Sequence, residues 1–529
     1  MKIGYLLNQL RTEAKLTQEQ FAEIVSVSQQ SVQKWESGSS MPNLDKIIFI
    51  SKYFDVSLDS LILGNNNRIV EEMSKTRAIT PQYQNLHDWE FYSSNLATEY
   101  RQSVEEGLDV ERFNDLFSAV AMLPKNELKK KFGDLLFEIV HSAKQRENYP
   151  YIEPSDFEGI KNCSNFGAYS NLSYNAKDFE DKIQGAWTGR ICGCMLGKTV
   201  EGICTNELVP FLKETNNYPM HRYILRSDLT SEVVNKYKYG FMGRPYADEI
   251  EGMPIDDDTN YVVLAQELIE NYGKNFTSLD VANVWLTYQK KDAYCTAERV
   301  AYCNFIKGFY PPESAIYKNP YREWIGAQIR GDYFGYINPG NPQLASEMAW
   351  RDASISHVKN GIYGEMMIAA MLAVAAVTND IETIILGGLS VIPTKSRLHE
   401  SIMKILTAFR TGVSKESCFE MIHEDYDEYT AHGWCHTISN AMIVAAALLY
   451  GGGDYGKSIC MAVETGFDTD CNGATVGSVL GMANGIQSIP TYWTKPINDT
   501  LHTSIFGVGT VKISDRVKLT LEHIAKNER

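Results

Sequence analysis

An all-α architecture is what the sequence predicts, and three observations carry it. Apolar residues recur at helical spacing near the amino terminus (Ile3, Leu6, Leu7, Leu10) and again between Tyr92 and Ala143. Glycines at 185, 189, 193 and 197 repeat every fourth residue and so line one face of a helix. Acidic clusters stand ahead of helical segments at Asp256-Asp257-Asp258-Thr259 and at Asp468-Thr469-Asp470. With 529 residues the chain exceeds a single core. The expected division is a small helical module over 1–64, a linker and helical annex over 65–180, and a large helical domain over 181–529.

Composition narrows the function classes. Hydrophobic residues make up 44% and charged residues 22%, ordinary values for a globular chain. A formal charge of −16 argues against nucleic-acid binding along the whole length, since phosphate contacts need many Lys and Arg. It leaves room for a small DNA-reading module. The ten cysteines lack paired zinc spacing, Cys192-x-Cys194 being the nearest approach, and Met1-Lys2-Ile3 opens no secretory signal. Free thiols in a reducing cytoplasm are expected. The apolar run Met366 to Val377 is too short to cross a membrane, so no membrane partner is expected.

The amino-terminal module is taken first. In Leu16-Thr17-Gln18-Glu19-Gln20-Phe21-Ala22, Thr17 is placed to cap a helix with Gln20 at the reciprocal capping position. Ser26-Val27-Ser28 is a turn, and Ser28 caps Gln29-Gln30-Ser31-Val32-Gln33-Lys34-Trp35-Glu36. Two short helices joined this way form a helix-turn-helix. Leu16 to Leu61 resembles the Cro-like phage-repressor helix-turn-helix family, through these segments together with Pro42-Asn43-Leu44 and Phe54-Asp55-Val56-Ser57-Leu58-Asp59-Ser60-Leu61. The resemblance implies that Gln18, Gln29, Gln30, Gln33 and Lys34 face operator DNA, glutamine amides suiting bidentate contact with adenine. Six basic against seven acidic residues leave residues 1–64 at −1, so dimerisation on a two-fold operator would have to offset weak nonspecific attraction. The alternative is a helical bundle used for protein contacts.

Residues 65 to about 88 read as linker, Tyr92 to Ala143 as helices that pack on the large domain, and Asn148 to Ile160 as an extended strap. None of these looks catalytic. In the large domain the glycine stripe is either a helix-packing face or, in lipid, a dimer motif, which Arg190 and Lys198 oppose. Glu201 follows it as a surface acid or a carboxylate delivered to a site. The three acids at 256–258 would serve a helix dipole alone. Paired with Asp468 and Asp470, however, they offer oxygens enough for two hard cations, which would relieve their mutual repulsion. His357, beside Asn360-Gly361, and His436 in Gly433-Trp434-Cys435-His436 are candidate substrate contacts or buried structural histidines.

In their order, Gly185 to Glu201, Asp257-Asp258-Thr259, His357 to Glu365 and Asp468-Thr469-Asp470 to Gly481 resemble the ADP-ribosylglycohydrolase family, over about Asp181 to Gly485. The resemblance implies an all-helical domain holding two divalent ions, Mg or Mn. Asp256, Asp257, Asp258, Asp468 and Asp470 would be ligands, with Thr259 in or next to the ligand set. Glu201 would be the acid on a mobile loop, and His357 with Asn360 and Gly361 would contact ADP-ribose. The sequence departs from the family where Asp256 and Cys471 replace threonines. The expected reaction is metal-dependent hydrolysis of an N- or O-glycosidic ADP-ribosyl bond, with Asp258 or Glu201 taking the proton of water. An ADP-ribose-sensing regulator without turnover and a Mg-dependent phosphohydrolase are the other readings.

Overall fold

The computed structural model describes residues 2–54, 56, 58, 61, 87–170, 172, 173, 175 and 179–526. The expected linker stretch 65–86, and Asp55, Ser57, Asp59 and Ser60 of the repressor-like match, lie outside them. Contacts divide the chain into two compact units, residues 1–82 and 83–529.

The first unit holds helices α1 (Lys2–Glu13), α2 (Gln18–Ile24), α3 (Gln29–Glu36) and α4 (Leu44–Tyr53). The capping chemistry read from the sequence is present. The Gln20 amide donates to Thr17 Oγ1 at 3.1 Å, the Thr17 amide donates to Gln20 Oε1 at 2.9 Å, and Ser28 Oγ accepts from Ser31 N at 3.2 Å. Leu7, Phe21, Val32, Trp35 and Ile50 close a small core. Arg11 clamps Glu36 from α1, Nε to Oε1 at 2.5 Å, tying the first helix to the third.

The second unit is helical apart from one antiparallel pair among the described residues, Thr500–His502 with Thr510–Lys512. At its centre the helices Phe179–Lys198 and Thr469–Asn484 pack backbone against backbone. A Cβ built on Gly185, Gly189 or Gly193 would stand 2.3, 2.3 and 2.0 Å from the carbonyl oxygens of Gly481, Gly477 and Gly473. A Cβ on Gly197 would meet the carbonyl carbon of Thr469 at 2.2 Å. The pairing runs antiparallel, so the carboxyl end of the first helix lies beside the amino end of the second. The glycine stripe is therefore a helix-packing face. No helix among the described residues is long and apolar enough to cross a membrane.

The annex helices Leu96–Glu105, Asn114–Ala121 and Glu127–Ser142 close a small cluster around Leu96, Val110, Phe117 and Leu136. Their attachment to the large body is polar and buried. Arg322 donates to Glu99 at 2.8 Å and to Glu106 at 2.5 Å, and Gln102 donates to Glu323 at 2.6 Å. Arg299 and Lys291 hold Glu90 at 2.8 and 3.0 Å. The strap carries Glu153, buried against Arg397 at 2.8 Å.

Gly193→Ala should lower stability by about 1–3 kcal/mol despite the helix propensity it gains, because the added methyl meets a backbone oxygen that cannot step aside. Gly240→Ala, with open space around its Cβ, should be near neutral. Thermal melts of the two variants check this.

Candidate active site

Three chain segments meet where the glycine-packed helices end. The helix Asp257–Tyr272 begins at Asp256, whose Oδ1 accepts from Asp258 N at 2.9 Å. The helix Thr469–Asn484 begins at Asp468, and Thr469 Oγ1 donates to the Gly197 carbonyl at 2.9 Å, pinning that start to the first helix. Two helix amino termini thus face one acidic cluster, and their partial positive charge favours it. Just beyond the first helix, Glu201 reaches a cavity of about 430 Å³ that Asp257, Asp468 and Asp470 also line.

Asp256, Asp258, Asp468 and Asp470 are buried, Asp257 and Glu201 are part-exposed at the cavity, and all are crowded together. Asp258 is fixed by Arg190, which donates to its Oδ1 at 3.0 Å and to its carbonyl at 2.9 Å, while Arg190 also meets Asp332 at 2.9 Å. Lys198 Nζ sits 2.5 Å from Asp256 Oδ2. Asp258 Oδ2 and Asp470 Oδ1 are buried without a hydrogen-bond partner among the described residues. Repulsion from Asp470, with burial and the Asp256 and Asp257 charges adding, pushes the Glu201 carboxyl up to about 9. Burial, followed by the Asp256 and Asp470 charges, pushes Asp257 up to about 7. Burial likewise holds Asp258 and Asp468 well above the usual carboxylate range, against the pull of Arg190 on Asp258.

Orphaned buried carboxylate oxygens that repel one another are what a cation would satisfy, so the residues present fit a metal ion. Ligand atoms of Asp258, Asp470 and Cys471, and of Cys194, Asp256 and Asp258, lie within 4.8 Å of one another. Two thiols therefore stand among the oxygens, Cys471 next to the Asp468-Thr469-Asp470 motif and Cys194 within the glycine-rich helix. Thr259 donates its hydroxyl to the Asp256 carbonyl at 3.1 Å.

The expected substrate contacts sit elsewhere. Asn360 is fully buried, its amide nitrogen donating to Glu153 and Glu323 and its oxygen accepting from Leu398 N. Gly361 packs against the Arg322 carbonyl, 2.7 Å from where its Cβ would stand. His357, kept neutral by burial, pairs through Nδ1 with Ser356. Ser356 in turn meets Arg330, which holds the cavity residue Glu298 at 2.9 Å. Neither these three nor His436 is among the residues lining the cavity.

His436 belongs to a second cluster with His432 and Glu105 of the annex. Trp324 Nε1 donates to His432 Nδ1 at 3.2 Å, and Ile438 N donates to His436 Nδ1 at 3.1 Å. His432 turns Nε2 to Glu105 at 2.9 Å, whereas His436 Nε2, 3.7 Å from the same carboxylate, has no hydrogen-bond partner among the described residues. Sequence reasoning missed the annex altogether as a contributor to the site. Trp89, Asn95 and Thr98 line the same cavity as the acids. The one signal was the aromatic density of Trp89, Phe91 and Tyr92 just past a polar stretch.

In the helix-turn-helix unit Gln29, Gln30, Gln33 and Lys34 are exposed on α3. Gln18 is half-buried and donates to Glu36 at 2.8 Å.

Residues 175–522 match the family model described as ADP-ribosylglycohydrolase, and residues 7–61 match a helix-turn-helix model. The chain belongs to the ADP-ribosylglycohydrolase family, with a helix-turn-helix DNA-binding domain fused ahead of the glycohydrolase-like domain. An HTH-type transcriptional activator, BcrR of Enterococcus faecalis, is 47% identical over 64 residues, 12% of this chain and 31% of that protein. The chain thus spans about a third of that relative's length. An uncharacterized protein of Archaeoglobus fulgidus is 21% identical over 326 residues, 60% of this chain and 92% of its own length. A solved ADP-ribosylglycohydrolase-related protein complex is 18% identical with a TM-score of 0.40, covering 66% of this chain and 99% of that one.

Carboxyl groups whose folded-state pKa is raised hold their protons more tightly in the folded than in the unfolded chain. They favour folding at low pH, and that contribution is lost as pH rises from about 4 through about 7 for Asp257 and about 9 for Glu201. In chelator-treated protein the melting temperature should fall across this window, and Mg or Mn should restore it more at pH 8 than at pH 5. Asp470→Asn should melt no lower than wild type without metal and should lose most of the metal-induced rise.

Proposed function

We propose that this protein is a metal-dependent hydrolase of an ADP-ribosyl glycosidic bond, joined to a module that reads operator DNA and gives transcriptional autoregulation. The observation carrying the reading is the cavity where Glu201, Asp257, Asp468 and Asp470 converge, with unsatisfied carboxylate oxygens at Asp258 and Asp470.

Asp257, Asp258, Asp468 and Asp470 would hold two divalent ions, Mg or Mn, with Asp256 shared between them and Lys198. Bound ions would supply Lewis acidity toward ribose hydroxyls and water. Glu201 lines the cavity whereas Asp258 is fixed on Arg190 and absent from its lining, so of the two candidate bases Glu201 is the one that exchanges a proton with water or leaving group. Asp258 orients its neighbours. Carboxylates around the anomeric carbon stabilise the positive charge that develops as the bond breaks.

A second reading, an ADP-ribose sensor with little turnover, is favoured by one feature: Cys194 and Cys471 place soft ligands, poorly suited to Mg, among the oxygens. Hydrolysis assays over Arg-, Ser- and nucleotide-linked ADP-ribose with Mg or Mn separate the two. The hydrolase reading expects release that Asp470→Asn or Asp257→Asn lowers by roughly a hundredfold or more. Release no greater than that of Asp470→Asn on every substrate would leave the sensor.

For the amino-terminal module, Gln29→Ala or Gln33→Ala should weaken operator binding by about 1–3 kcal/mol and relax base preference. Lys34→Ala should weaken all sequences alike and lower the salt slope by about one. Binding titrations at several salt concentrations read both.

A further inference from the structure

The annex helix Glu127–Ser142 carries two apolar stripes and buries only one of them. Gly133, Leu136 and Val140, with the stem of Lys129, face inward. One position earlier in the chain, Leu128, Phe132, Leu135 and Ile139 repeat the same alternation of four- and three-residue steps. The first three stand 56%, 37% and 53% exposed, and Ile139 is half-buried at the edge of the annex core. Leu116 and Met122, of the preceding helix and its carboxyl end, add further exposed apolar surface to the annex. Steps of four and three are the seam spacing of a helix that packs along another helix. Leucines left in water at that spacing forgo a burial that a partner would supply. We propose that this seam is a self-association surface, on which a second copy of the chain docks the same helix antiparallel across a two-fold axis.

Charge selects both the occupant and its direction. Lys131 and Glu138 lie on one flank of the seam, two helical turns apart, both exposed and neither in an ion pair among the described residues. An antiparallel two-fold pairing sets Phe132 against the partner's Leu135 and Leu128 against the partner's Ile139. It also brings Lys131 of each copy to the partner's Glu138, so the same favourable contact is made twice. A parallel pairing would turn these charges toward the opposite flank, where Lys129 and Leu136 are already buried in the annex. The surface is thus complementary to itself in one orientation. The stretch 65–86 ahead of the annex lacks the apolar period that would answer such a seam.

The seam is one helix wide, so the dimer is expected to dissociate on dilution. Pairing here also joins two amino-terminal units, each of charge −1 and therefore with little nonspecific attraction to DNA, into one bivalent molecule whose avidity for paired half-sites exceeds that of either unit alone. That consequence rests on the reading of residues 1–64 as an operator-binding module; the pairing itself does not.

Sedimentation equilibrium of the full chain over a range of concentrations reads the association directly. Wild type is expected to pass from monomer to dimer. Leu135→Glu should weaken the dimer by about 100-fold or more while leaving the thermal melt of the monomer unchanged, its side chain being exposed there. Lys131→Glu and Glu138→Lys, each alone, should weaken it by about 5- to 50-fold through two like-charge contacts. Mixing these two variants should restore pairing as a heterodimer, and placing both changes in one chain should restore the homodimer. A chain that stays monomeric at every concentration overturns the proposal, as does a dimer that Leu135→Glu leaves intact. Single charge variants that dimerise like wild type, or that are not rescued on mixing, overturn the antiparallel arrangement and with it the proposal.

Discussion

Close contact between the glycine faces of Phe179–Lys198 and Thr469–Asn484 is the constraint on which the rest depends. With Cβ positions 2.0–2.3 Å from the facing backbone, neither helix can carry a larger residue there. The antiparallel pairing then determines what meets at its end. Lys198 and Glu201 arrive on one strand of chain, Asp468 and Asp470 on the other, and the Thr469 hydroxyl on Gly197 O fixes their register. Arg190, halfway along the first helix, reaches out to anchor Asp258, so the second acidic segment is placed by the same helix. A site of like charges is unfavourable to assemble, and here it is assembled by packing that has nothing to do with charge.

The annex shows another balance. Its attachment uses Arg322, Arg299, Lys291 and Gln102 against Glu99, Glu106, Glu90 and Glu323, nearly all buried. Buried ion pairs contribute little net stability once desolvation is counted, but they tolerate no other arrangement, because a displaced partner leaves a bare charge. Such an interface sets position. It holds Trp89 and, through Glu105 and His432, Trp324 at the cavity.

Much of this was legible in the sequence because it is local. The Thr17–Gln20 capping box, the Ser28 cap, the glycine period and the acid-led helices each lie within a few residues. Family resemblance joined the two acidic segments. What could not be read was what depends on residues far apart in the chain. Trp89 follows a polar stretch that reads as linker, and its role appears only once Tyr321 and Arg299 surround it. Asn360 sits in a motif that suggests a ligand contact, yet its polar atoms are engaged by Glu153, Glu323 and Leu398, residues that no spacing rule connects to it. Cys194, in the Cys192-x-Cys194 pair that lacks zinc spacing, stands beside Asp256 and Asp258, which come from a distant part of the chain.

The annex attachment also bears on where this enzyme-like body begins. A protein shortened to residues 175–522 would keep every acidic motif and the whole glycine pairing. It would also part Arg322, Arg299, Lys291 and His432 from the annex glutamates they hold, with Asp292 still 3.8 and 4.0 Å from Arg299 and Lys291, and would lose Glu153 from Arg397. Such a fragment would carry a surplus of positive charge where the annex had been, inviting misfolding or adventitious anions. The smallest body that keeps this cavity intact is accordingly larger than the family segment it contains, and starts upstream of Trp89.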